Sequence, residues 1–322
     1  MRLLGVELNR YRSRQAIVLL VLLGAALAVV LAGVTAWDTR PLTESDRTEA
    51  AAQADLESQR PALRREVQAC EREPLSYLGP EASAADCADA LVPSAESYYP
   101  RQALDLSSVL NDYGVHLAVV LLGLLLVAAG TFVGAEWASG AIVNQVLFEP
   151  RRIRLWLAKA GAVGVASTVA AVVILGGFWL ALWLVARSRG IEVPGDDARQ
   201  VVWHLLRAGV LAAVGAIGAM ALTMVFRHTV ATLALLFVLS VGGEIAVNLL
   251  PFEGAGRWSV GNNVFGWLDP RHRYFDASID CAPGERCRAI ETMTHLESGL
   301  FLGVLLAIAV LVSIVWFRRR DV

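Results

Sequence analysis

"AIVLLVLLGAALAVVLAGVTA", residues 16 to 36, runs for twenty-one residues without a charge. An α-helix rises about 1.5 Å per residue and a bilayer's hydrocarbon core is about 30 Å thick, so roughly twenty such residues cross it once. A helix on the surface of a soluble protein would carry a polar stripe, which this stretch lacks. A cleavable signal peptide is the competing reading, because basic residues precede the run and Val34-Thr35-Ala36 resembles a cleavage site. The run is longer than the usual signal-peptide apolar region of about 7 to 15 residues, so it reads as a spanning helix.

Five more windows of the same kind follow, at 115–135, 160–186, 201–226, 229–250 and 299–317. The chain is 56% hydrophobic and 18% charged, and the apolar residues are gathered into blocks. This is the pattern of an all-α membrane protein with six transmembrane helices. Around the spans lie an N-terminal interfacial helix (1–15), a long helical segment (37–114), a loop (136–159), a short loop (187–200), a second large loop (251–298) and a tail (318–322). The fourth and fifth spans form a hairpin within 201–250. A net charge of −2 gives no support to nucleic-acid binding.

Basic residues close to helix ends orient a membrane protein. Arg10, Arg12 and Arg14 precede the first span; Arg151, Arg152, Arg154 and Lys159 lie between the second and third; Arg227 joins the fourth to the fifth; and Arg318 to Arg320 follow the sixth. With six spans these all fall on one side, expected to be the cytoplasm, with both termini there. Arg187, Arg189 and Arg199 lie on the other side, accompanied by Glu192, Asp196 and Asp197. The segments 37–114 and 251–298 are then extracytoplasmic. The first, rich in Ala, Glu, Gln and Arg, reads as helix beginning at Thr43 or Ser45 and interrupted near Pro61. The second, with Gly, Asn and Pro among aromatic residues, reads as irregular structure at the membrane interface.

All four cysteines, Cys70, Cys87, Cys281 and Cys287, fall in these two segments, where an oxidising exterior would let them pair. Four cysteines allow three connectivities. Cys70 with Cys87 and Cys281 with Cys287 are expected, since each closes a local loop, and a loop of about 15 residues is worth about 3 kcal/mol in the chain-entropy account. A metal site of His272, Cys281, Cys287 and His295 is the alternative, but its spacing matches no zinc pattern. No metal is expected.

No catalytic group stands out. The chain has no phosphate-binding loop: Lys159, its only lysine, follows "RLWLA" and lacks both the opening glycine and the following Ser or Thr. Neither a G-x-S-x-G elbow nor an H-E-x-x-H pair occurs. If the protein moves a substrate uphill, the energy comes from elsewhere.

The loop "GAEWASGAIVNQVLFEPRRIRLWLAKAG", residues 134 to 161, is crowded with Glu, Pro and Arg between two apolar runs. Its "AIVNQVLF" is suited to a short helix on the membrane surface, which Pro150 would end. The loop resembles that of ABC-2-type exporter permeases, which run Glu, a Gly-Thr or Gly-Ser pair, about eight mostly apolar residues, Pro, a basic pair and then Lys. Glu136, Gly140, Pro150, Arg151, Arg152 and Lys159 match; Ala141 departs, lacking the hydroxyl. "LLGVELNRYRSRQ" resembles the family's N-terminal interfacial helix, and "FRHTVATLALL" its turn between the fourth and fifth spans. The resemblance implies a permease subunit in the cell membrane, in bacteria the plasma membrane, that exports a substrate. It would pair with a second permease, taken as another copy of this chain, and with two separate ATPase subunits that hold ATP and Mg. The loop would be the coupling helix docking into the ATPase. Arg151 and Arg152 would orient it, and Glu136 would make a buried or N-terminal polar contact.

Arg207 and Glu244 lie inside spans, where an unpaired charge costs about 2.5 to 3.5 kcal/mol on insertion scales. Placed at similar depth on the two arms of a hairpin, they are expected to form an ion pair, either as an external gate or as a latch between helices. A different class of function is a non-transporting sensor or scaffold that displays the 37–114 segment, which is larger than a passive connection requires.

Overall fold

In the computed structural model the described residues are 2–79, 82–250, 252, 254–269, 272–276, 279 and 290–319. In chain order the helices are α1 (Arg2–Arg12), α2 (Gln15–Asp38), α3 (Glu44–Ser58), α4 (Pro61–Arg72), α5 (Pro74–Leu78) and α6 (Asp86–Leu91). They continue with α7 (Leu106–Ala138), α8 (Ala141–Phe148), α9 (Arg152–Ser188), α10 (Gly195–Phe226) and α11 (Thr229–Asn248). Last come α12 (Val260–Leu268), a hairpin of β1 (Arg273–Phe275) and β2 (Ile290–Thr292), and α13 (His295–Arg319). β1 and β2 run antiparallel, with Tyr274 opposite Glu291.

Six of these helices, α2, α7, α9, α10, α11 and α13, are long and apolar enough to cross a membrane. They are the helices of a multi-pass membrane protein, a fold in which the backbone polar groups at membrane depth are satisfied within each helix. Several run beyond the apolar windows. α7 begins at Leu106, nine residues before its window, and passes through a π-helical turn at Leu110–Gly114 before regular helix resumes. α9 begins at Arg152, so Arg152, Arg154 and Lys159 belong to the third spanning helix and not to a loop. The reason is local: after Pro150 the sequence "RRIRLWLAKA" is mostly Arg, Leu, Ala and Lys, which favour helix, with no Gly or Pro to stop propagation. The 251–298 segment is also more regular than its punctuation suggested, since it holds α12 and the hairpin.

The chain divides into two units. The larger contains residues 1–32, 106–188 and 192–322. In it α10 packs against α7, α9 and α13, and α1 lies along α9. Its core includes Phe132 and Val133 of α7, Leu155 and Trp156 of α9, and Met220 and Met224 of α10. Small residues let the helices approach, as membrane helices do where lipid offers no hydrophobic drive to association. A methyl group at Gly209 of α10 would lie 3.1 Å from Val172 of α9, and the Gly209 carbonyl accepts the Thr168 hydroxyl at 3.1 Å. Trp156 of α9 donates its indole N–H to Ser313 of α13 at 3.0 Å.

The smaller unit, residues 33–105 and 189–191, holds α3 to α6 and is closed by a disulfide between Cys70 of α4 and Cys87 of α6, both fully buried. Thr43 caps α3 in a capping box with Asp46. Pro61 takes the first position of α4, where its missing N–H costs no hydrogen bond. Arg189 donates to the carbonyls of Ala36 and Thr39, 2.5 and 2.7 Å away. Cys281 and Cys287 lie outside the described residues, and so does the pairing expected of them.

Candidate functional site: a buried charge cluster under the α7–α9 loop

Gly140 ends the turn after α7 in the left-handed region at φ 69°, which glycine adopts without penalty. It leads directly into α8 as its N-cap, with no side-chain cap. The hydroxyl missing at Ala141 is therefore not replaced by another capping side chain. α8 buries Ile142 and Gln145 and turns Leu147 and Phe148 outward, 76% and 92% exposed.

Beneath α8 the structure gathers charges from four parts of the chain. Lys159 of α9 is completely buried. Its ammonium donates to Glu136 at the end of α7 at 2.6 Å and to Glu7 of α1 at 2.8 Å. Gln145 of α8 donates its amide to the other oxygen of Glu136 at 3.3 Å. Arg10 lies 3.5 Å from Glu7 and 4.0 Å from Glu136, and Arg14 lies 3.9 Å from Glu136. Phe132 floors the cluster, with Lys159 and Arg14 over its ring at 5.3 and 5.4 Å and Tyr11 edge-on at 5.1 Å. Burial pushes the Tyr11 phenol up to about 12, opposed weakly by the Ser167 hydroxyl.

A lone buried ion costs several kcal/mol, so each member of the cluster depends on the others for its place in the interior. Gln145 of α8 is connected through Glu136 to Lys159, and through Lys159 to Glu7. The cluster is thus a polar joint between a surface helix and the ends of α1, α7 and α9. It sits beside the α10–α11 turn, where Arg227 adopts φ 57° and stacks its guanidinium over Trp137 at 4.4 Å.

The two loop arginines have different surroundings. Arg152 donates to the carbonyls of Phe317 and Arg318 at 3.1 and 3.5 Å, satisfying groups that the end of α13 leaves open. Arg151 is exposed beside Pro150, and its backbone N–H reaches Glu149 at 3.4 Å. The sequence marks Arg10 and Arg14 only as basic residues that orient the first span, and Glu7 and Gln145 not at all. One signal was available for Glu7: it is the only acidic residue before the first span.

Arg207 and Glu244 do not form the expected ion pair. Glu244 instead receives the hydroxyl of Ser259, the N-cap of α12. The Arg207 carbonyl accepts the indole N–H of Trp267 in α12 at 2.9 Å. α12 contacts both α10 and α11 and supplies these partners, a helix not anticipated within the 251–298 loop. Of the four residues weighed as a metal site, His272 contacts Asn262 at 3.4 Å and His295 contacts the Gly266 carbonyl at 2.9 Å. Cys281 and Cys287 lie outside the described residues.

No protein-family model, curated protein or solved structure matches this chain.

Proposed function

We propose that the chain is the membrane-spanning permease subunit of an ATP-driven exporter of the ABC-2 type, coupling hydrolysis on a separate ATPase subunit to movement of a substrate. The observation that carries this reading is α8. It is a short helix between the second and third spanning helices that presents Leu147 and Phe148 outward while tying its inner face, through Gln145, to the buried Glu136–Lys159–Glu7 cluster. An exposed apolar tip on a helix whose Gln145 bonds Glu136, itself paired with Lys159, suits a part that receives a push from a partner and passes it inward. Most of an interface's energy comes from a few such anchors.

On this reading the α8 end of the bundle faces the cytoplasm, in bacteria across the plasma membrane, and the disulfide-closed unit lies outside. ATP and Mg belong to the ATPase pair, and a second copy of the chain completes the permease. The absence of a phosphate-binding loop from the sequence agrees with hydrolysis on another subunit. The test is affinity purification of the tagged chain from its host's membranes in mild detergent, with identification of co-purifying proteins and a vanadate-inhibited ATPase assay. A soluble P-loop ATPase is expected with the parent chain and lost with Phe148→Asp. Recovery of the chain without any ATPase, under conditions that preserve a known ABC complex, overturns the proposal.

A further inference from the structure

Beside the α8 tip, the start of α9 and the end of α13 enclose an open cavity of about 290 Å³ lined by Pro150, Arg151, Arg152, Ile153 and Arg318. Three of its five lining residues are arginines. The nearest acidic residue in sequence, Glu149, is turned to Arg154 at 3.6 Å and to the Arg151 N–H, so its charge is shared. Arg152 is fixed by the α13 carbonyls that it caps. The N-terminus of a 37-residue helix adds its positive end to the same place.

We infer that this cavity binds the phosphate of an anionic phospholipid. Guanidinium groups match phosphate oxygens in planar, bidentate fashion, which favours them over other cations for this ligand. The walls favour a lipid over a free phosphate. Ile153 lies in the cavity itself, 40% exposed, and Leu157, one turn further into the spanning helix, is 56% exposed. A headgroup among the arginines would therefore continue into acyl chains lying on the exposed apolar surface of Ile153 and Leu157. An inorganic phosphate has no use for that surface. Such a lipid would hold the root of α8 at the membrane surface; the inference does not depend on an ATPase partner.

The experiment uses the purified full chain, delipidated in detergent and titrated with phosphatidylglycerol, phosphatidylcholine or soluble glycerophosphate, with bound molecules counted by native mass spectrometry. Arg151→Gln with Arg318→Gln leaves Arg152 on its carbonyls. Arg64→Gln with Arg65→Gln, at exposed positions on α4, removes the same charge elsewhere. Each arginine near an anionic surface contributes roughly fivefold in affinity, so the first pair is expected to weaken phosphatidylglycerol binding about 25-fold. Phosphatidylcholine binding should not change, and the control pair should bind as the parent does. Equal binding by parent and Arg151/Arg318 variant overturns the site, as does equal loss in the control. Glycerophosphate binding as tight as phosphatidylglycerol overturns the lipid as occupant. Because none of these readouts involves hydrolysis, their failure is distinct from failure of the exporter reading.

Discussion

Lys159, within the third spanning helix, donates a hydrogen bond at 2.8 Å to Glu7, 152 residues earlier on the N-terminal helix. Together with Glu136 at 2.6 Å this makes an ammonium shared by two carboxylates in a site closed to solvent. Removing one member of such a set leaves the others buried and unbalanced. Lys159→Met is expected to destabilise the chain by about 3–5 kcal/mol, read as a lowered Tm in detergent. Adding Glu136→Gln should recover part of the loss, because one fewer negative charge then needs compensation. A single variant as stable as the parent would show that the ammonium does not hold this joint.

The six apolar helices were legible because each carries its own evidence: a bilayer-length run without charges needs no partner to be recognised. The cluster was half legible. Glu136 and Lys159 stood out through local pattern, whereas Glu7 and Arg14 join them only when α1 folds back along α9, a contact that no spacing rule reports. The Arg207–Glu244 pairing failed for the same reason in reverse. A hairpin argument considered two helices, and the N-cap of a third, α12, supplied Glu244 with a closer partner, the Ser259 hydroxyl. Its "WSVGNNVFGWLDP" reads as punctuation by composition, yet Ser259 accepts the Asn262 N–H at 3.0 Å and starts a helix there.

Arg151 and Arg152, adjacent in sequence, should behave differently. Arg152 closes two carbonyls at the end of α13, and charge-assisted bonds of this kind are worth about 1.5–3 kcal/mol. Arg151 is exposed, and changes at such positions usually stay within about 0.5 kcal/mol. Thermal melts of Arg152→Ala and Arg151→Ala in the same detergent should therefore separate clearly. Equal melting temperatures would mean that α13 is held without the arginine.

At the start of α3, Asp46 accepts from the Thr43 backbone N–H at 2.8 Å and from the Thr43 hydroxyl at 2.8 Å, and it pairs with Arg101. The backbone bond first, then the hydroxyl, then Arg101 hold its carboxyl below the usual 3.8. A lowered folded-state pKa contributes stability that is present above the unfolded value and lost as pH falls through the folded one. Asp46→Asn should therefore lower Tm at neutral pH, and the gap from the parent should close as the pH falls from about 4. A gap that persists unchanged to pH 2 would place the effect in packing and not in charge.

Cys70 and Cys87 are 17 residues apart, in different helices of the smaller unit, and both are fully buried. Closing a loop of this length restricts the unfolded chain by about 3 kcal/mol in the entropy account. Within the folded unit the bond also fixes α4 against α6, short helices that bury little else: Cys70 and Cys87 are the buried residues of the two. The pair therefore does work that a hydrophobic core would do in a larger unit. Digestion of the non-reduced protein should yield one peptide joining these two cysteines. Cys70→Ala with Cys87→Ala should make the segment from 61 to 91 sensitive to protease under conditions where the six spanning helices remain intact. Protection of that segment in the double variant would mean that α3 and its neighbours hold it without the bond. Separate, unjoined Cys70 and Cys87 peptides from the non-reduced protein would mean that the cysteines carry free thiols or other partners.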